Sequence, residues 1–581
     1  MKVSIDPILI SVINNRLDGI TKEIGETMLR TSRSPIFSEA RDFCTAVFDR
    51  HLRLVAQTAY IPVLMGALPY AMRSIYSAFK DDIRPGDVFI LNDPYRGNNH
   101  PPDITVAKPV FYKGELAFWS VSKGHHADVG GGGVAGYNPA ARSIHEECVR
   151  IPPAKLYDGG KPNRTMWDLI LLNVHIPFLV EGDLHCQVGA CNVGERGILS
   201  LLDKYGQDTV DAAIDEILDA SERQMRDVIR GIPNGTYSSE RLIDHDGINK
   251  DKMIAIRLKL VVEDERIVFD YSESDPQAAG YVNSTLPNTA STSFLALFTS
   301  VASHVRFNDG ALRALDVVAP VGTIANAAEP APVTSNTISA SQTIVESVWL
   351  AIAKAVPEAA PAAWARWCAP ATMGFNPRTG RFFADIHFMC KGGGGASLGV
   401  DGWDHVGVIV CSGGLRSPDP ELHELVNPYL VLNYEYRQDS AGAGKWRGGM
   451  GTKYSWKVLA DGIPAANFGG GINDATAPYG LQGGLAAPKH QLCLKKATGE
   501  TIQVDAESFY MQNIGDVFEI YESGGGGYGN PLERDINRVQ ADVRDGLVSV
   551  QKARDLYGVV VDPATFEVDH KATRQLRNNH T

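Results

Sequence analysis

Apolar residues near the start of the chain recur at helical spacing: Leu9, Ile13, Leu17, Ile20, Ile24 and Met28 stand three or four positions apart. That period places them on one face of a helix, and Asp6 and Pro7 ahead of them suit an N-cap and a first helical position. Between Asp42 and about Val134 the pattern changes to short apolar runs, CTAVFD, DVFILND, DITVAKPVF and LAFWSVSKG, separated by turn residues. These predict strands interleaved with a helix near 66–80. Helical spacing returns from about Thr209 to Arg230 and is closed by Gly231 and Pro233. Strand-like segments follow, TYSSERLI, KMIAIRLKLVVEDERIVFDYSES, GVIVCSGG and YLVLNYEYRQDS, with helices expected at 281–305, near 340–356 and as a pair over 533–557, before a polar tail. No fixed-period repeat is visible, which excludes solenoids and propellers.

The expected fold class is α+β, with multi-layer mixed sheets, flanking helices and a β-rich C-terminal half. Three regions are expected: 1–235, an N-terminal α/β region; 236–530, a β-rich region with Gly-rich turns; and 531–581, a C-terminal helical segment and tail.

Composition narrows the picture. A chain of 581 residues is too long for one core, and 44% hydrophobic with 57 Gly and 32 Pro describes a globular, turn-rich protein. The net charge of −13 argues against nucleic acid or an anionic membrane as the main partner. The opening MKVSIDPILISVINNRLDG lacks a signal-peptide apolar core, and no run approaches the roughly 18 apolar residues of a membrane span, so a cytoplasmic location is expected. Eight Cys lie scattered without a CxxC, the pattern of buried free thiols in a reducing compartment.

The candidate chemistry lies in two stretches, NDPYRGNNHPPDITV at 92–106 and SKGHHADVGGGG from Ser122. His100 and Asp103 are separated by two prolines, so both must project from a rigid turn rather than a helix. With His125, and with Asp42 as a further ligand or base, they offer a mixed nitrogen and oxygen set suited to Zn, Mn or Fe. Three protein ligands leave a position for water, which the metal would acidify. The competing reading makes His100 and Asp103 turn caps and HHAD a solvated loop; the second cluster nearby favours the metal. His126 and Asp128 are candidate supporting residues that fix an imidazole tautomer, or else polar loop residues.

Other signals are weaker. The Gly-rich segments KGGGGASLG, DSAGAGKWRGGMGTK and ESGGGGYGNP contain no phosphate-binding loop, since Lys445 is followed by Trp446 and Lys453 by Tyr454. They are expected to be structural turns, with an anion contact from Lys445 or Arg447 as the minor alternative. There is no G-x-S-x-G elbow, and no Cys is paired with a base.

Taken together, SEARDFCTAVFD at 38–49, the two stretches above, GDLHCQVGACNVGERGILSLLDKYG at 182–206, DSAGAGKWRGGMGTKY at 439–454, APYGLQGG at 477–484 and GDVFEIYESGGGGYGNPLERD at 515–535 resemble the hydantoinase B/oxoprolinase family, in family order across nearly the whole chain. The resemblance implies a divalent metal, Zn or Mn, on His100, Asp103 and His125, with Asp42 a further ligand or neighbour. Asn98-Asn99 and Cys148 depart from the family's usual glycines and leave this set intact. It also implies an ATP-dependent hydrolase of cyclic amides, of hydantoinase, oxoprolinase or caprolactamase type, in which ATP is held by a separate ATPase-type A subunit that phosphorylates the substrate or bicarbonate. This chain would be the metal-bearing B subunit of a hetero-oligomer. Two alternatives stand beside it: a subunit of a ketone carboxylase, and a non-catalytic scaffold for the ATPase subunit.

Overall fold

A computed structural model describes residues 5–578. The architecture is α+β, built from four sheets and flanking helices. Packing divides the chain into two compact units, 1–240 with 254–351 and 414–418, and 241–253 with 352–413 and 419–581. This grouping is coarser than the three successive regions expected, and it is not sequential: the strands near 260 belong with the N-terminal region rather than with the β-rich half.

In the first unit, a seven-stranded sheet contains β1 (Phe43–Asp49), β2 (Leu54–Ala59), β3 (Val88–Leu91), β4 (Asp103–Tyr112), β5 (Glu115–His125), β6 (Ala154–Asp158) and β7 (Lys161–Pro162) in the order β2-β1-β5-β4-β3-β6-β7. All its pairings are antiparallel. Helix α1 (Pro7–Thr31) starts where expected: Asp6 accepts the Ile8 N–H at 2.9 Å, and Ile13, Leu17, Ile20, Ile24 and Met28 are buried. Each such side chain contributes roughly 1.5–3 kcal/mol by leaving water. α2 (Leu68–Phe79) occupies the predicted 66–80 interval.

α3 (Arg164–Leu172) is followed by α4 (Pro177–Tyr205), the longest helix described and one that the apolar period did not announce. α4 is buried on more than one side, against α1 and against β4 and β5. Ile104 and Val106 of β4 share a core with Leu184, Val188 and Cys191 of α4. Gly194 and Gly197 permit the close approach, since a Cβ on Gly194 would lie 2.1 Å from Ser120 Oγ and one on Gly197 2.9 Å from Ile20. Apolar positions therefore spread around the helix instead of forming one stripe. α5 (Gln207–Arg230) matches the expected helix.

A four-stranded sheet, β8 (Gly235–Ile243), β9 (Ile254–Glu263), β10 (Arg266–Asp270) and β11 (Leu315–Val318), follows in the order β11-β10-β9-β8, and its β10–β11 pair is parallel. α6 (Leu286–Phe298) occupies the interior of the predicted 281–305, α7 (Asp309–Leu312) is a single turn, and α8 is Ser339–Ala355.

The second unit is β-rich. One sheet holds β12 (Cys368–Asn376), β13 (Arg381–Ile386), β16 (Ile463–Gly469) and β19 (Ser508–Gln512); the other holds β14 (Tyr429–Tyr436), β15 (Thr452–Val458), β17 (Gln491–Lys495), β18 (Thr501–Gln503) and β20 (Val517–Tyr521). A short helix, α9 (Pro420–Val426), precedes β14, and α10 (Ile536–Arg544) and α11 (Val550–Tyr557) are the expected pair. The polar tail also forms a helix, α12 (His570–Asn578). GVIVCSGG is not a strand: only a 3-10 turn, Ile409–Cys411, forms there, because Gly407 and Gly413 at φ 87° and 78° cannot continue a pleat.

The three Gly-rich segments lie side by side. Gly449 N–H donates to Gly394 O at 2.8 Å, and Gly525 N–H to Gly449 O at 2.9 Å. A Cβ on Gly525 would stand 1.9 Å from Gly394 O, so the glycines serve backbone contact rather than a phosphate.

Among the described residues no helix is long and apolar enough to cross a membrane. All eight cysteines are free and seven are buried; burial pushes the thiols of Cys44 and Cys186 up to about 12.

Candidate metal centre

The turn carrying His100 is held by amide side chains. Asn98 Nδ2 donates to the carbonyls of Asn92 and His100, each at 3.0 Å, and to that of Asp103. Asn92 Nδ2 donates to the Pro101 and Val149 carbonyls at 3.1 and 3.0 Å. Buried carbonyls that two prolines leave without strand partners are thus satisfied, and the turn is rigid. Asp103 opens β4 and His125 ends β5, and the two pair directly across the antiparallel ladder. Their side chains consequently project from one end of the sheet toward His100.

His100, Asp103 and His125 are buried, and one donor atom from each lies within 4.8 Å of the others. His100 Nε2 is 3.1 Å from Asp103 Oδ1 and 3.2 Å from His125 Nδ1, and His125 Nδ1 is 3.4 Å from Asp103 Oδ1. Neighbouring corners of a tetrahedron with bonds of about 2.0–2.1 Å are about 3.3–3.4 Å apart, so these spacings suit three ligands of one ion. His100 Nδ1 donates to the Thr334 carbonyl at 2.8 Å, which leaves Nε2 as the lone-pair nitrogen facing the other two donors. Asp103 Oδ2 and His125 Nε2 are buried without a hydrogen bond, a cost of roughly 1–3 kcal/mol each unless a cation or water compensates. Two imidazoles and a carboxylate with one donor atom each at mutual ligand spacing fit a divalent cation.

Electrostatics agree with a compact charged cluster. Burial raises the Asp103 carboxyl, but His100 and His125 together hold it below the usual carboxylate range. Burial lowers the His100 imidazole, and Asp103, the Thr334 carbonyl and Asp42 outweigh it and hold it above its ordinary value.

Asp42 precedes β1, after a π-turn (Ile36–Ala40) from which Arg41 exits at φ 62°. Its carbonyl accepts the His125 N–H at 3.0 Å. Its carboxyl stands outside the set of three mutual donors but feels all of them: burial, opposed by His125 and reinforced by Asp103, pushes it up to about 6.

The other two predicted residues face elsewhere. His126 donates from Nε2 to Gln187 Oε1 at 2.9 Å, and burial lowers its imidazole. Asp128 accepts the N–H groups of Gly130 at 2.9 Å and Ile176 at 2.7 Å, the His175 N–H, and His175 Nδ1 at 3.1 Å. It ties the loop after β5 to the start of α4.

Sequence reasoning missed three contributors. Lys123 is fully buried, donates to Asn99 Oδ1 at 2.8 Å, and is pushed down to about 8 by burial. Glu147, raised to about 7 by burial, accepts the Val333 and Thr334 N–H groups at 2.8 and 2.9 Å. It thereby fixes the residue whose carbonyl holds His100. Lys123 was detectable as the charge near the end of the LAFWSVSKG strand run; Thr334 lies 234 residues from His100 and carried no signal.

Comparison with known proteins bears on the whole chain. It is 37% identical to the beta subunit of the caprolactamase of Pseudomonas jessenii, over 99% of this chain and 100% of that one. The crystal structure of the ATP-dependent caprolactamase from that organism superposes with a TM-score of 0.90 at 36% identity, covering 99% of this chain and 100% of that chain. The B subunit of a putative D-/L-hydantoinase of Pseudomonas sp. (strain NS671) is 31% identical over 99% of this chain and 98% of its own length. A nucleotide-free acetone carboxylase shares the fold, with a TM-score of 0.90 at 20% identity over 99% of this chain and 83% of that chain. The hydantoinase B/oxoprolinase family model matches residues 6–531, and the chain belongs to that family.

Proposed function

We propose that this chain is the metal-bearing B subunit of an ATP-dependent cyclic amide hydrolase, working with a separate ATPase-type A subunit. The observation that carries the reading is the convergence of His100, Asp103 and His125 at ligand spacing, in a chain similar throughout to a caprolactamase subunit.

An unstrained lactam or imide resists hydrolysis because amide resonance weakens the carbonyl electrophile. Phosphorylation of the amide oxygen by the A subunit makes the ring carbon electrophilic. Water adds there, and the ring C–N bond breaks with the protonated nitrogen leaving as the amine. A second water hydrolyses the resulting acyl phosphate to carboxylate and phosphate, and this chain supplies the site where the ring is opened. His100, Asp103 and His125 would hold a divalent ion such as Zn or Mn, which would supply Lewis acidity near neutral pH. The protein's own residues set the geometry. Glu147 holds Thr334, and the Thr334 carbonyl holds His100 with Nε2 toward the cluster. Asp42, whose carboxyl burial raises, is the candidate base beside the cluster.

The test is ATP consumption by the chain co-expressed with its A subunit, screened against hydantoin, 5-oxoproline, caprolactam and simple ketones, with and without bicarbonate. Ring-opened amino acid formed with ATP consumption is the expected result and names the substrate. Turnover of a ketone alone, strictly dependent on bicarbonate, would replace this reading with a carboxylase.

A further inference from the structure

The second unit holds a cluster of similar chemistry that lies outside the motifs described above. Asp385 is the penultimate residue of β13, His387 follows the strand, and His423 comes from α9. One donor atom from each lies within 4.8 Å of the others. His387 is fully buried and His423 nearly so.

The spacing decides between two explanations. Asp385 Oδ2 is 3.5 Å from His387 Nε2 and 3.6 Å from His423 Nδ1. A carboxylate sharing protons with these imidazoles would draw the heavy atoms to about 2.7–2.9 Å. Three ligands of one tetrahedral ion would stand about 3.3–3.4 Å apart, which the observed distances approach. Asp385 Oδ2 is also buried without a hydrogen bond, pointing between the two rings.

The surroundings orient the rings. His387 stacks on Trp456 with centroids 4.1 Å apart, and His423 on Tyr429 at 5.8 Å. Thr372 Oγ1, 3.4 Å from His387 Nε2, and the Asn427 amide, 3.2 Å from His423 Nδ1, touch the two nitrogens that face Asp385 and would give way to an ion there. The Asp385 side chain is 14% exposed, so solvent reaches the edge of the cluster.

We propose that Asp385, His387 and His423 form a second divalent-metal site, of the zinc type, whose ion pins α9 to the end of β13. α9 is only seven residues long and is tied to the β12–β13 hairpin by Asn376 Nδ2 donating to Val426 O at 2.8 Å and by Arg378 donating to Glu424 O and, at 2.5 Å, to Asn427 O. The ion would add a cross-link between an element with little core of its own and the sheet.

The test uses the full chain, stripped with chelator and dialysed against Zn2+, with bound metal counted by mass spectrometry. In a His100→Ala/Asp103→Asn variant, which empties the first centre, one equivalent per chain should remain. Adding Asp385→Asn or His423→Ala should weaken its binding at least 100-fold. No bound zinc in the folded double variant, or an equivalent that survives both added substitutions, would overturn the proposal. Should the variants fail to fold, wild-type crystals soaked in Zn2+ decide. Anomalous density between Asp385 and His423 is expected, and its absence there while the first centre is filled overturns the site.

Discussion

His125, the last residue of β5, sits directly across the ladder from Asp103, the first residue of β4, and the two side chains meet 3.4 Å apart. The register of one antiparallel pair therefore places two of the three candidate ligands. The third, His100, is positioned by a contact with Thr334, far along the chain. The centre depends on one local relationship and one long-range one, and the predictions separate them.

Glu147 tests the long-range half. Its carboxylate holds the Thr334 amide, so Glu147→Gln should loosen the His100 tautomer and lower metal affinity by about 10–100-fold, the usual cost of an outer partner. Metal titration of the two proteins checks this.

The same substitution has a pH signature. The folded Glu147 carboxyl keeps its proton to about pH 7, whereas its ordinary value is 4.5. Over that interval the folded state binds more protons than the unfolded state, so stability falls as pH rises. Relative to Glu147→Gln, which does not titrate, the wild type should lose up to about 3 kcal/mol between pH 4 and 8. Chemical denaturation of the metal-free proteins across that range reads the difference; a constant offset would contradict it.

Asp128→Ala should destabilise the fold by about 2–4 kcal/mol, since several donors lose their acceptor. Bound metal per folded chain should be unchanged, because Asp128 faces the start of α4 rather than the cluster. Parallel melting curves and metal analysis distinguish this from a role at the site.

Asn99→Ala should cost about 1–3 kcal/mol by leaving the buried Lys123 ammonium without its acceptor. Lys123→Met, which removes the buried charge as well, should cost less. Denaturant midpoints rank the two.

Much of this was legible in the sequence, for identifiable reasons. α1 buries one face and exposes the other, so its period is plain. His100, Asp103 and His125 fall where apolar runs stop, and strand ends are where sheet-borne side chains converge. α4 was hidden because Gly194 and Gly197 let it press against two neighbours at once, which blurs an amphipathic stripe. GVIVCSGG has a strand's composition, but its flanking glycines take positive φ. His126 and Asp128 sit beside a candidate ligand in sequence, yet beyond the end of β5 the chain turns and carries both toward α4. Thr334 and Glu147 reach the centre only through tertiary packing, and Asp385 and His423 approach each other in the same way.

The decisive experiment is ATP-dependent ring opening by the chain reconstituted with the proposed ATPase-type subunit, measured beside metal content for the wild type and Asp103→Asn. Asp103 contacts both imidazoles and anchors no backbone through its side chain, so the variant should fold and bind its partner. Metal at the first centre and turnover should fall together, turnover by more than about 100-fold, beyond the usual effect of an outer partner. Wild-type turnover by a variant that has lost this metal would contradict the assignment.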